Sequence, residues 1–263
     1  MHLKFLILIL YIMSVHLVLY SNNEPFNTTK RLTIESINKY TNKNIIIHDY
    51  NLEKIKQTQW FQIIKDIPLI QKDGRRDGYY NIWKAFITKD VYDAMNDGDI
   101  LYYTDSSQYF QTGFTENIDK LCDIANEILR IAGSIGDDMK NNSFGCCDNI
   151  DIWNIIIPDK DNTENLSKPH VLNSWFLFKK CELNNTFIND WVYFSSYIYK
   201  DTNQPLVTYH HTVDQSIFNI IVIKYNFPVF YDKNISHTNN KNKNTVLNII
   251  NNATNTRDYF IYL

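Results

Sequence analysis

The first half of the chain alternates short apolar strands with amphipathic helices, and this alternation limits the fold more than any other feature. "VHLVLYS" (15–21) is rich in β-branched and aromatic residues and runs into the loop signal "SNN", so it predicts a strand. "NTTKRLTIESINKY" (27–40) follows as a helix with Asn27 or Thr28 as its cap. "NIIIHD" (44–49) is a second strand, and "NLEKIKQTQWFQIIKDI" (51–67) carries Leu52, Ile55, Ile63 and Ile64 at loosely helical spacing. "NIWKAFITKDVYDAMND" (81–97) sets Trp83, Phe86, Ile87, Val91, Ala94 and Met95 on one helical face, with Gly98 as the natural stop. "DILYYT" (99–104) is a third strand. "ENIDKLCDIANEILRIAG" (116–133) keeps Ile118, Leu121, Cys122, Ala125, Ile128, Leu129 and Ala132 in helical register up to Gly133. A strand–helix alternation of this kind predicts an α/β fold, a mainly parallel sheet in a three-layer sandwich with helices on both faces.

The second half is more mixed. "IWNIII" (152–157) and "NSWFLFKK" (173–180) read as strands, and "NTFINDWVYFSSYIY" (185–199) as a helix burying Phe187, Trp191, Phe194 and Ile198. The segment 205–225 divides into a strand to Tyr209, a turn at His210–His211 and a helix from Val213. Residues 234–256, rich in Asn, Lys and Thr, suit an exposed loop, and "RDYFIYL" closes with a strand. No internal repeat or Pro/Gly linker interrupts the chain, so residues 14–263 are expected to form one domain.

The apolar N-terminus, "MHLKFLILILYIM" with Lys4 as its positive flank, predicts a signal peptide or short membrane anchor over 1–13. The alternative is that all of 3–20 belongs to the fold. The first reading implies the secretory pathway or membrane association through the N-terminus, and the alternative a cytoplasmic protein. Six N-x-S/T sequons begin at Asn27, Asn141, Asn165, Asn184, Asn234 and Asn252. With about one residue in eight being Asn, chance supplies most of them, so they argue little for secretion. A formal net charge of −3, without a basic stripe, excludes a nucleic-acid partner. Cys122, Cys146, Cys147 and Cys181 lack metal-site spacing. They are read as inert buried thiols, with a disulfide from Cys146 or Cys147 to Cys181 as the oxidising-compartment alternative.

One position resists a purely structural account. In "DGDILYYTDSS" (97–107) an apolar strand ends on Asp105, and ligands in open α/β sheets bind beyond the carboxyl ends of the strands. A carboxylate there, among small hydroxyls, suits a hard divalent cation, while Asp and Ser equally suit a turn. "DGYYNIWKAFITKDVYDAMNDGDILYYTDSSQY" (77–109) resembles the central block of GT-A fold glycosyltransferases of the nucleotide-diphospho-sugar transferase group. "HHTVDQSIFNIIVIKY" (210–225) is similar to the group's late block, and "HLVLYSNNEPFNTTKRLTIESINKYT" (16–41) to its opening strand and helix. The resemblance spans most of residues 15–232. Two departures stand out: Ala85 replaces the usual Pro after Trp-Lys, and Ser107 stands where a second carboxylate is common.

The resemblance implies a GT-A-like domain that moves a sugar from a nucleoside-diphosphate sugar to a glycan, lipid or protein acceptor. It implies Mn²⁺ or Mg²⁺ as cofactor, held by Asp105 and His211. Tyr20, Ser21, Asn22, Arg76, Trp83, Lys84, Asp105 and Ser107 would line the donor site, and Asp214 and Gln215 would be catalytic. Each has a plainer role to set beside this one. Trp83 fits the apolar helix face, Lys84 an exposed one, and Arg76 a solvated loop. Thr212 with Gln215 forms a capping box for the last helix. Two other functions compete: a non-catalytic carbohydrate- or nucleotide-binding relative, and a secreted interaction protein similar only in composition.

Overall fold

The buried length of Val15–Tyr20 (β1) organises the protein: all six residues are buried, so both faces of this strand are covered. The structure is a computed structural model. It describes residues 13–40, 45–65, 83–106, 122–123, 125, 130–135, 150–158, 171, 173, 175–201, 213–231 and 260–262. β1 is followed by the helix Phe26–Tyr40 (α1), the strand Ile45–Tyr50 (β2) and the short helices Leu52–Lys56 (α2) and Phe61–Ile64 (α3). Then come the helix Trp83–Ala94 (α4), the strands Ile100–Thr104 (β3) and Arg130–Ile135 (β4), and the helix Ile150–Ile156 (α5). The strand Trp175–Lys179 (β5), the helices Glu182–Asp201 (α6) and Val213–Lys224 (α7), and the strands Pro228–Tyr231 (β6) and Phe260–Tyr262 (β7) complete the order.

The sheet runs β2-β1-β3-β5-β4-β6-β7. β1 is parallel to both β2 and β3, and β4 to β6, whereas β5 is antiparallel to its neighbours β3 and β4. β7 is antiparallel to β6. The sheet is therefore mainly parallel in direction, with β5 and β7 reversed. Side chains alternate along each strand. Val18 and Tyr20, Leu101 and Tyr103, and Phe176 and Phe178 join one core with α4, α5, α6 and α7. Its centre is aromatic: Phe176 stacks on Tyr103 and Phe218, with the Trp191 ring edge-on. The alternate residues Leu17, Leu19, Ile100, Tyr102 and Leu177 are as deeply buried on the opposite face, and Ile37, Cys122 and Ala125 are buried outside the first core. Cys122 neighbours the Tyr102 phenol. Layers on both sides of a mixed, mainly parallel sheet are the α/β sandwich expected from the alternation.

Several local expectations are corrected. Residues 152–157 are helical, in α5, because Ile152, Trp153 and Ile156 lie on one buried face at helical spacing. The periodic run 116–133 does not stay helical to Gly133. Its last residues enter β4, where Arg130 and Ile131 pair with Phe178 and Leu177. From Arg130 onward the helical period, Ala132 included, is overridden by tertiary pairing. The single helix expected over 51–67 is two short ones, the first capped by the Asn51 side chain accepting from Lys54 N–H. α1 starts before its expected caps, at Phe26, with Glu24 accepting from the Thr28 N–H and hydroxyl. β6 was not expected. It follows Asn226, whose φ of 48° ends α7, while Phe227 N–H bonds back to Val222 O. Gly98, at φ 93°, turns the chain from α4 into β3. Cys122 is a buried free thiol as expected and Cys181 a partly buried one, while Cys146 and Cys147, and with them the disulfide alternative, lie outside the described residues. Asn184 is fully buried and donates to Lys179 O, which removes that sequon as a glycan site in the folded chain. The expected strand to Tyr209, the turn at His210–His211 and the loop 234–256 lie outside the described residues, as do residues 1–12. Among the described residues no helix is long and apolar enough to cross a membrane.

A histidine pair ties β1 to β2. His16 Nδ1 lies 2.9 Å from His48 Nε2, and His16 Nε2 is 3.4 Å from the buried Asp99 carboxylate. Burial pushes the His48 imidazole down to about 4, helped by its His16 neighbour and Lys54. Burial also lowers His16, against the pull of Asp99. A base whose folded-state pKa is depressed makes the fold resist protonation. Its stability is complete above the unfolded value of 6.5 and declines as the pH falls from there toward 4. After discounting for the partial exposure of His48, the loss by pH 5 is about 1 kcal/mol. Urea denaturation at pH 7 and pH 5 should show it, and His48→Gln should remove most of the difference.

Candidate functional site

β3 ends at Thr104, paired with Trp175, the first residue of the antiparallel β5. The reversal of β5 therefore brings the residues just before it to the same edge of the sheet as the residue just after β3. Asn173 and Asp105 meet there. Two helices close on this edge. α4 contributes Lys84 from its first turn, and α7 contributes Asp214 from its own.

Lys84 is the hub. Its Nζ donates to Asn173 Oδ1 at 3.1 Å and to Asn173 O at 3.3 Å. It also lies 3.3 Å from Asp105 Oδ1 and 3.8 Å from Asp214 Oδ2. Two of the three N–H donors of this ammonium go to Asn173, and the carboxylates are held as ion pairs. Asn173 bridges onward, its Nδ2 donating to Asp214 Oδ2 at 2.9 Å. Tyr103 donates to Asp105 Oδ1 at 2.8 Å. Burial, and then the Asp105 carboxylate, hold the Tyr103 phenol well above its ordinary value, so it remains a donor at any physiological pH.

Burial divides the two carboxylates. Asp105 keeps about a third of its side chain open to solvent (35%), whereas Asp214 is 1% exposed. Asp214 Oδ1 has no hydrogen-bond partner among the described residues, an expensive state for a buried carboxylate oxygen. One ammonium against two carboxylates leaves one net negative charge. Asn219 and Gln215 pin the adjacent segment to α7: Val171 N–H donates to Asn219 Oδ1 at 3.1 Å, and Gln215 Nε2 to Val171 O at 3.4 Å.

The expected residues thus separate into groups. Lys84, Asp105 and Asp214 come together, and Lys84 is buried rather than lying on an exposed helix face. Trp83 stacks on Tyr20 at 3.9 Å beside them, and its ring lies 5.9 Å from Lys84 Nζ. Ser21 and Asn22 are engaged by the fold. Ser21 Oγ donates to Asn27 Oδ1, and Asn22 Oδ1 accepts from Leu52 N–H at the start of α2. Gln215 is half-buried and braces Val171. Arg76, Ser107, His211 and Thr212 lie outside the described residues. Sequence reasoning missed Asn173, the residue that links Lys84 to Asp214. Its one signal is its place two residues before an apolar strand, which matters only once that strand's direction is known.

The donor set suits a hard divalent cation in its chemistry: carboxylate oxygens, a net negative charge, and one buried oxygen without a hydrogen-bond partner. Among the described residues no group of three or more His, Cys, Asp or Glu side chains gathers as a complete ligand set. A cation here would need further ligands beyond these two carboxylates.

No protein-family model matches the chain, and no curated protein matches it. Among solved structures the chain is similar to mouse xyloside xylosyltransferase 1 in its apo form. The TM-score is 0.45 at 11% identity, covering 81% of this chain and 82% of that one.

Proposed function

We propose that the protein is a glycosyltransferase that moves a sugar from a nucleoside-diphosphate sugar to an acceptor hydroxyl on a glycan, lipid or protein. The observation that carries this reading is the convergence of Lys84, Asp105 and Asp214 at the carboxyl edge of a mainly parallel sheet. These residues come from the two sequence blocks that resemble the GT-A group, far apart in the chain. Asp105, with His211, would hold a Mn²⁺ or Mg²⁺ ion, which when bound supplies positive charge to the leaving diphosphate. The chain's own residues orient the reactants. Asp214, held by Asn173 and Lys84, is the fixed carboxylate to which the catalytic role falls. The stacked Tyr20–Trp83 pair forms a rigid wall for the donor, and Arg76 adds positive charge. Gln215 helps to fix the segment carrying Asn173. Delivery to the secretory pathway or a membrane through residues 1–13 goes with this reading.

A non-catalytic nucleotide- or carbohydrate-binding role is the second reading, favoured by the single acid of the Asp105–Ser106–Ser107 motif. Thermal denaturation with UDP, GDP and their sugar conjugates, each with Mn²⁺ or with EDTA, tests both. A ligand that binds only the native state raises the melting temperature by mass action. One nucleotide should raise it in Mn²⁺ and not in EDTA, and the matching sugar donor should be hydrolysed. Stabilisation without hydrolysis or transfer would select the binding role. No shift with any nucleotide would reject both.

A further inference from the structure

We infer that Lys84 is a resident counter-cation that competes with a divalent ion for the Asp105–Asp214 carboxylate pair. The inference rests on reading this site as one that takes a cation. It concerns what holds the acids together when no divalent ion is bound.

Lys84 takes one oxygen from each acid, Asp105 Oδ1 at 3.3 Å and Asp214 Oδ2 at 3.8 Å. Asp214 Oδ1 is left buried and without a hydrogen-bond partner among the described residues. Without a positive charge between them, two carboxylates this close would repel, and Asp214 cannot turn to solvent. Asn173 holds two of the Lys84 N–H donors, and the ammonium charge lies against the two carboxylates as ion pairs. Its role is therefore toward the acids. An ion bound to the remaining oxygen of either acid would lie within a few ångströms of a fixed ammonium, in a setting that screens charge poorly. The ammonium keeps the acids assembled and at the same time weakens their hold on a second cation.

Removing the ammonium while keeping the shape should therefore strengthen metal binding. Mn²⁺ alone, without nucleotide, is titrated by electron paramagnetic resonance into wild type, Lys84→Met, Lys84→Arg and Asp105→Asn. Lys84→Met is expected to bind Mn²⁺ at least about tenfold more tightly than wild type, Lys84→Arg about as wild type does, and Asp105→Asn more weakly. If Lys84→Met is too unstable to titrate, Mn²⁺ must raise its melting temperature more than that of wild type, since ion binding then also restores the fold. Equal Mn²⁺ affinity in wild type and Lys84→Met, weaker binding by the variant, or no binding by any form would overturn the inference. Because no nucleotide is present, these outcomes are separate from failure of the transferase reading. A protein that shows this order of Mn²⁺ affinities but is stabilised by no nucleotide would refute the transferase and leave the role of Lys84 standing.

Discussion

Lys84→Met, measured in EDTA, is expected to lower unfolding stability by about 3–5 kcal/mol, the usual cost of removing one partner of a buried ion pair. The size follows from Asp214. At 1% exposure it cannot recover water when the ammonium is gone, and one of its oxygens has no hydrogen-bond partner among the described residues. Asp105 contributes less, since its more open side chain can be solvated. The double variant Lys84→Met/Asp214→Asn should recover much of the loss, because an amide at 214 leaves no buried charge to compensate. Urea unfolding of the wild type, both single variants and the double variant measures this coupling as a cycle. Additive losses would mean that Lys84 stabilises the fold through packing against Tyr103 and Trp83, whose rings lie 5.4 and 5.9 Å from Nζ, rather than through charge.

The contrast between Lys84 and Asn173 shows how far the sequence could be read. Trp83, Phe86, Ile87 and Val91 share one apolar face at helical spacing, so α4 was legible, and so was the apolar strand leading to Asp105. The direction of β5 was not, because an apolar strand reads alike in both directions and only partner register distinguishes them. Asn173 joins the site only because β5 is reversed. For the same reason the sequence left Lys84 open between the donor site and an exposed helix face. Its partners are 21, 89 and 130 residues away, and no local pattern reports them. The misread elements share a cause. β4 and α5 are short, and local periodicity in short apolar runs gives way to whatever surface the rest of the chain offers. Asp214 was named through the resemblance of 210–225 to the group's late block, but that one of its oxygens has no hydrogen-bond partner among the described residues is visible only with Asn173 and Lys84 placed on the other.

Asp105→Asn is expected to reduce transfer, or donor hydrolysis where no acceptor is known, by at least about a hundredfold, the common loss when one electrostatic element of a transition state is removed. Stability should change by less than about 1 kcal/mol, because the side chain is partly solvated and exposed ion pairs contribute little. The Tyr103 hydroxyl can donate to an amide oxygen as it does to Asp105 Oδ1. Gln215→Ala should behave in the opposite way. It deletes the long 3.4 Å hydrogen bond to Val171 O and one brace on the segment carrying Asn173, so it should cost roughly 1 kcal/mol and leave most activity. Paired assays of rate and melting temperature separate the two roles. If Gln215→Ala abolishes turnover at unchanged stability, Gln215 touches the donor sugar. If Asp105→Asn unfolds the protein while the folded fraction stays fully active, Asp105 is only the turn residue that ends β3, and the chemistry lies elsewhere on that edge of the sheet.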